Sequence, residues 1–149
     1  MDTPYEKLLE NLARAKVKFI VVGGVAVALN GFVRTTDDVD ILIERSPENI
    51  ARLLETLASF GEGHSRNLSL TDFDDMEGAV RVIEEFPLDI FTVMRGETYG
   101  DLAGSVRQTT IKGATIDFLN ADGLIRLKVD STREKDQIDI AALRKKSVD

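Results

Sequence analysis

Two carboxylates one residue apart, Asp38 and Asp40, open the apolar segment Val39-Asp40-Ile41-Leu42-Ile43. In an extended strand successive side chains point to opposite faces, so Asp38 and Asp40 look out together while Val39 and Ile41 look the other way. Like charges held side by side at the mouth of an apolar strand repel unless a cation lies between them, and a hard, oxygen-liking ion such as Mg²⁺ fits that need. Just upstream, an apolar run ends in Val22-Gly23-Gly24. A glycine pair between a strand and a helix lets the backbone approach a bulky anion, with free N–H groups at the helix start facing it; a phosphate suits that position. Phosphate cradle and carboxylate pair together are the minimum equipment for metal-assisted phosphoryl or nucleotidyl transfer.

A third acid stands in a similar setting. Asp89 lies inside Leu88-Asp89-Ile90-Phe91-Thr92-Val93, and a lone carboxylate within an apolar strand is costly to bury unless a cation receives it. The plain structural explanation is an ion pair with an arginine such as Arg81 or Arg95, or a strand end that reaches solvent. The chemical explanation is a third member of the carboxylate site.

Composition narrows the alternatives. The chain has no cysteine, which excludes disulfides and thiolate zinc sites, and one histidine, His64, which argues against His-based metal sites and Ser-His-Asp catalysis. Chemistry therefore rests on carboxylates. A net charge of −7 argues against bulk electrostatic binding of nucleic acid, since such affinity comes from lysines and arginines neutralising phosphates. The apolar run from Phe19 to Val33 is interrupted and falls short of the roughly 20 residues a bilayer span requires, so no membrane association is expected. The segment before it carries Asp2, Glu6 and Glu10, unlike the basic start of a signal peptide, and the expected location is the cytoplasm. At 149 residues the length predicts one domain, spanning 1–149.

The elements that must position these residues are legible in outline. Tyr5, Leu8, Leu9 and Leu12 recur at helical spacing after Thr3-Pro4, and predict an amphipathic helix. Val17–Val22 reads as a buried strand, Gly24–Asn30 as two helical turns stopped by Gly31, and Val39–Ile43 as a second strand. Ser46-Pro47 starts a helix with Ile50, Leu53, Leu54 and Leu57 inward. This alternation favours an α/β sheet. Residues 61–78 read as a solvated, acidic loop with one short helix, 79–84 and 88–93 as strands, and 95–104 as a loop with a short helix. Residues 109–120 suggest a hairpin around Lys112-Gly113. Asn120 begins a helix carrying Lys128. A last helix follows, with Ile138, Ile140, Ala141 and Leu143 inward, and with Arg133, Lys135 and Asp136 as surface charges.

Val-Gly-Gly, a spacer, Asp38-Val39-Asp40 and a later Asp89 resemble the signature of the nucleotidyltransferase superfamily related to DNA polymerase beta, particularly its small minimal-nucleotidyltransferase and AbiEii-toxin-like members. The likeness extends to the tail, where Leu127-Lys128 is followed by Arg133-Glu134-Lys135-Asp136. It implies the nucleotidyltransferase fold, between α/β and α+β, with a mixed central β-sheet flanked by α-helices, a core at 17–93, and a C-terminal hairpin and helices at 107–146. It also implies that Asp38 and Asp40 bind two Mg²⁺ ions and that Asp89 binds one of them. Gly23 and Gly24 would hold phosphates of an NTP, ATP foremost, and Arg34 and Lys128 would touch the triphosphate. Each of those two cations is equally well explained as a surface group whose stem covers apolar neighbours. The implied acceptor is a hydroxyl of a protein or RNA, including a cognate toxin or partner subunit. Two other readings stand beside this one. One is a non-catalytic nucleotide-binding or antitoxin-like module of the same fold. The other is a metal-dependent phosphatase or nuclease, which leaves Gly23-Gly24 without a role.

Overall fold

The computed structural model describes residues 4–32, 36, 38–60, 68–83, 86–129, 131 and 133–148. Helix α1 (Pro4–Arg14) buries Leu8, Leu9 and Leu12. It closes with Lys16 in the left-handed region, where the Lys16 N–H bonds the Ala13 carbonyl and the Val17 N–H bonds the Leu12 carbonyl. That closure uses the Val17 amide, and strand β1 begins at Phe19 (Phe19–Val22) rather than at Val17 as the hydrophobic run suggests. All four β1 residues are buried, as befits a central strand.

Helix α2 (Gly23–Leu29) leaves β1 without a connecting loop. Strand β2 (Val39–Ile43) returns antiparallel to β1, and α3 (Pro47–Ala58) follows with Ser46 accepting a hydrogen bond from the Asn49 N–H. Asn49 itself is buried and ties α3 to the sheet, its amide bonding Lys18 on both backbone groups and the Glu44 carbonyl. Strands β3 (Ala79–Ile83) and β4 (Pro87–Phe91) pair antiparallel, and β4 pairs parallel with β2. A short ribbon of β5 (Val93–Met94) and β6 (Glu97–Thr98) precedes α4 (Tyr99–Leu102); the sequence suggested the short helix but read the ribbon's turn as loop. Its turn, Arg95-Gly96, has positive φ at both residues, the geometry that matches the twist of a two-residue hairpin. Strands this short carry no readable periodicity.

The expected hairpin is β7 (Val106–Ile111) and β8 (Ala114–Leu119), turning at Lys112-Gly113. Strand β8 pairs parallel with β1 and completes a six-stranded mixed sheet in the order β3-β4-β2-β1-β8-β7. Helix α5 (Ala121–Lys128), capped by Asn120, packs on α2 and on α6 (Glu134–Val148). The inward face of α6 differs from the expected one. Ile140 and Leu143 are buried, whereas Ile138 is 52% exposed, Ala141 is exposed, and Asp136 and Asp139 lie inside. Burial of those two acids displaces the apolar stripe because α5 presents a lysine to them, as described below.

Candidate functional site

A single row of residues crosses the sheet. Val22 on β1 is registered against Asp40 on β2, Asp40 against Asp89 on β4, and Asp89 against Arg81 on β3. Directly paired residues share a face, so the row sets two carboxylates and a guanidinium side by side. Asp38 joins at the start of β2, within reach of the same arginine.

Gly23 closes the row at its β1 end. Its φ of +66° is one that side-chain-bearing residues rarely adopt, and a Cβ there would lie 2.1 Å from Asp40 Oδ2. The bare glycine therefore permits both the sharp strand-to-helix bend and the close approach of the Asp40 carboxylate.

Arg81 grips Asp89 with a two-pronged contact, Nε to Oδ1 at 2.7 Å and Nη2 to Oδ2 at 2.8 Å, and Nη2 also donates to Asp38 Oδ2 at 3.2 Å. The arginine pKa is raised by these hydrogen bonds and by the negative charge of Asp89. Asp89 is 8% exposed, so its charge is compensated where burial would otherwise be prohibitive. Both explanations of Asp89 thus coexist: it has the arginine partner, and it adjoins the carboxylate pair. Asp40 is served less well. Burial, the charges of Asp89 and Asp38, and a hydrogen bond shared with Asp89 push its carboxyl up to about 6, against an opposing pull from Lys128.

These groups line a cleft of about 580 Å³, within the range that holds small-molecule ligands. Gly23 and Gly24 contribute from the start of α2, and Asp38, Asp40, Asp89 and Arg81 from the sheet and its edge; Lys128, Arg133, Lys135 and Asp136 contribute from α5, the link after it and the start of α6. Lys128 lines the cleft, and its ammonium is held by α6. Nζ lies 2.9 Å from Asp136 Oδ1 and 3.4 Å from Asp139 Oδ2, and the Ser131 hydroxyl donates to Asp136 Oδ2 at 2.6 Å. Burial raises the Asp136 pKa, yet the hydrogen bonds from Ser131 and Lys128 and the charges of Lys128 and Arg133 outweigh it, and the net shift is downward. Asp136 is therefore an interior acid, not the surface charge that helical spacing suggested. Arg34 lies outside the described residues, as does His64.

Glu77 of the cleft carried no signal in the sequence, and Arg95 entered there only as a candidate partner of Asp89. Glu77 accepts from the backbone N–H groups of Arg95 and Gly96 and so fixes the β5–β6 turn, and Arg95 turns into the cleft lining. Glu77 sits in an acidic loop whose composition reads as solvated, and nothing local distinguishes it from Asp74 or Asp75.

The resemblance seen in the sequence implies a divalent metal, and the donor set fits one in chemistry. Three carboxylates with hard oxygen donors adjoin, and burial together with its acidic neighbours raises the pKa of one of them, Asp40, to about 6. Among the described residues, however, no group of three acidic or histidine side chains stands ready to hold an ion. Arg81 takes both oxygens of Asp89 and one of Asp38.

A glycine bend beside carboxylates on a mixed sheet defines the class of a nucleotidyltransferase-type scaffold. The sequence profile of the family described as nucleotidyltransferase of unknown function (DUF6036) matches residues 2–145, and the chain belongs to that family. No curated protein matches the sequence. Among solved structures, the lincosamide antibiotic adenylyltransferase LnuA, lincomycin-bound, is similar over 97% of this chain and 96% of its own, at 17% identity and a TM-score of 0.65. The antibiotic-resistance factor ANT(2'')-Ia is similar over 99% of this chain and 85% of its own, at 18% identity and a TM-score of 0.60. An antigenic nucleotidyltransferase-like protein from Paracoccidioides brasiliensis is similar over 93% and 74%, at 17% identity and a TM-score of 0.54. At such identities the likeness is one of fold. No helix of the described residues is long and apolar enough to cross a membrane.

Proposed function

We propose that the protein moves an NMP group from an NTP to a hydroxyl of an acceptor, releasing pyrophosphate, with Mg²⁺ as the metal. The observation that carries this reading is the cross-strand row, in which Asp40 and Asp89 adjoin beside the bare bend at Gly23. Asp38 and Asp40 would hold two ions between them, and Asp89 would join in holding one. A divalent ion bound there lowers the pKa of the attacking hydroxyl and neutralises charge on the departing pyrophosphate. The residues of the chain do the rest. Gly23 and Gly24 receive the phosphates through backbone N–H groups without a side chain in the way. Lys128, fixed by α6, supplies positive charge from the opposite wall, where charge develops on the leaving group. The acceptor oxygen forms its bond to the α-phosphorus as the α–β bridging bond breaks, and the hydroxyl proton leaves to water.

The acceptor is a hydroxyl of a protein or RNA, held by the C-terminal elements or by a partner subunit. A small hydroxylated molecule is the second reading, supported by the likeness over nearly the full length of LnuA, whose structure holds lincomycin. The test is incubation with labelled ATP, CTP, GTP and UTP, Mg²⁺, and each acceptor class in turn. Transfer or pyrophosphate release that is lost in Asp38→Asn and Asp89→Asn supports the enzyme. Nucleotide binding without turnover on any acceptor supports a non-catalytic nucleotide-binding or antitoxin-like module instead.

A further inference from the structure

The arginine on β3 has no part in the reading above, yet it makes the most intimate contacts with the carboxylates. We propose that Arg81 is the site's built-in counter-ion, holding the oxygens a divalent cation would take, so that cation entry requires the guanidinium to withdraw. The inference rests on the metal-dependent reading of the site and names a residue that regulates it.

Three observations support the exchange. The guanidinium occupies both oxygens of Asp89 and one of Asp38, which a cation shared by those residues would need as ligands. Arg81 also comes from the right place to leave. Strand β3 is an edge of the sheet, and the Arg81 side chain is 50% exposed, so the head group can rotate away on its flexible stem without disturbing the core. Finally, the arginine neutralises the site incompletely. It has one charge and reaches two of the three carboxylates, while Asp40 makes no ion pair among the described residues. A divalent ion brings twice the charge to the same place and can displace a monovalent competitor, at an affinity that the competitor reduces.

The withdrawn guanidinium has a destination. It borders the cleft in which a triphosphate would lie, and its planar fork pairs with phosphate oxygens as well as with carboxylates. A nucleotide would thus give Arg81 a new anionic partner and favour metal entry. Free metal without nucleotide has to displace the arginine unaided.

The experiment is calorimetric titration of the whole chain with Mn²⁺ alone, without nucleotide, for the wild type, Arg81→Gln and Arg81→Lys. Arg81→Gln is expected to bind Mn²⁺ about tenfold more tightly, in the range typical of coupling between competing occupants of one site. Arg81→Lys is expected to fall between, because an ammonium keeps the charge but cannot form the fork. A chain merely damaged by substitution binds more weakly, so a gain in affinity does not arise from damage. If the glutamine variant does not fold, the lysine variant carries the test, with tighter binding than wild type expected. Equal or weaker binding in the variants overturns the role of Arg81 and leaves the metal-dependent function standing. Absence of Mn²⁺ binding in all three chains overturns this inference and the metal dependence together.

Discussion

The cleft has two charged walls, and they are built on opposite terms. On the sheet side, Asp38, Asp40 and Asp89 crowd together with one arginine among them, and the Asp40 pKa is pushed up to about 6. On the helix side, Lys128, Ser131, Asp136 and Asp139 pack in the interior, and the Asp136 pKa is lowered by its hydrogen bonds and cations despite its burial. Both are clusters of acid and base with partners close by. The difference lies between Asp136, whose two oxygens are taken by Lys128 and Ser131, and Asp40, which makes no ion pair among the described residues. The helix cluster resembles a structural clamp: it joins α5 to α6 and holds Lys128 in one place. The sheet cluster keeps an unmet demand for positive charge, which is the condition under which a ligand gains most by binding.

This contrast can be broken or sharpened by substitution. Asp89→Asn is expected to lower nucleotide transfer at least about a thousandfold, about 4 kcal/mol of transition-state stabilisation, in a chain that still gives a cooperative melt. Activity that survives this change would place the chemistry elsewhere. Lys128→Met removes the ammonium that Asp136 and Asp139 share in the interior and is expected to cost about 3 kcal/mol of stability in denaturant titrations. A neutral result would make the helix cluster a surface network after all. Gly23→Ala faces both the left-handed φ and the Asp40 carboxylate, and is expected to destabilise by about 2 kcal/mol and to shift or remove the carboxylate from the row, which a lowered melting temperature and lost transfer would report.

The two walls should also respond oppositely to pH. Asp40 has a folded-state pKa raised to about 6, so between the ordinary aspartate value and that point the folded protein binds more protons than the unfolded chain. Its contribution therefore falls as pH rises from about 4 to about 6, by roughly 2 kcal/mol after allowing for partial exposure. Asp136, with a lowered pKa, contributes stability that is present above its unfolded value and lost as pH falls through its folded one. Unfolding of the wild type and Asp40→Asn in the presence of a chelator separates the two, since the variant should lack only the loss between about pH 4 and 6. The smallest effect expected is that of Ile138→Ser. Exposed on α6, Ile138 should cost under about 0.5 kcal/mol when replaced, where an inward Ile138 would cost several times more.

Much of the site was legible because its signals are local. Asp38 and Asp40 share a face through the strand period of two, and Gly23-Gly24 marks a strand-to-helix bend within the same short stretch. Secondary structure followed wherever the period ran for a full element, as in α1, α3 and the β7–β8 hairpin. The α6 helix is the instructive failure. Counting apolar residues at helical spacing placed Ile138 and Ala141 inside, but the interior there is set by a lysine from the preceding helix, which draws Asp136 and Asp139 inward. The β5–β6 ribbon was missed for another reason, being too short to show alternation.

The amino-acid sequence by itself determined the chemical inventory: carboxylates as the candidate reactive groups, a bare glycine bend beside them, and no thiol or histidine constellation to compete. Tertiary structure decided which of these groups meet. The parallel pairing of β2 with β4 places Asp89 next to Asp40, and the antiparallel pairing of β4 with β3 delivers Arg81 to Asp89 and Asp38. Those registers join residues far apart in the chain, and they are set by how whole strands bury their faces, which no local spacing records.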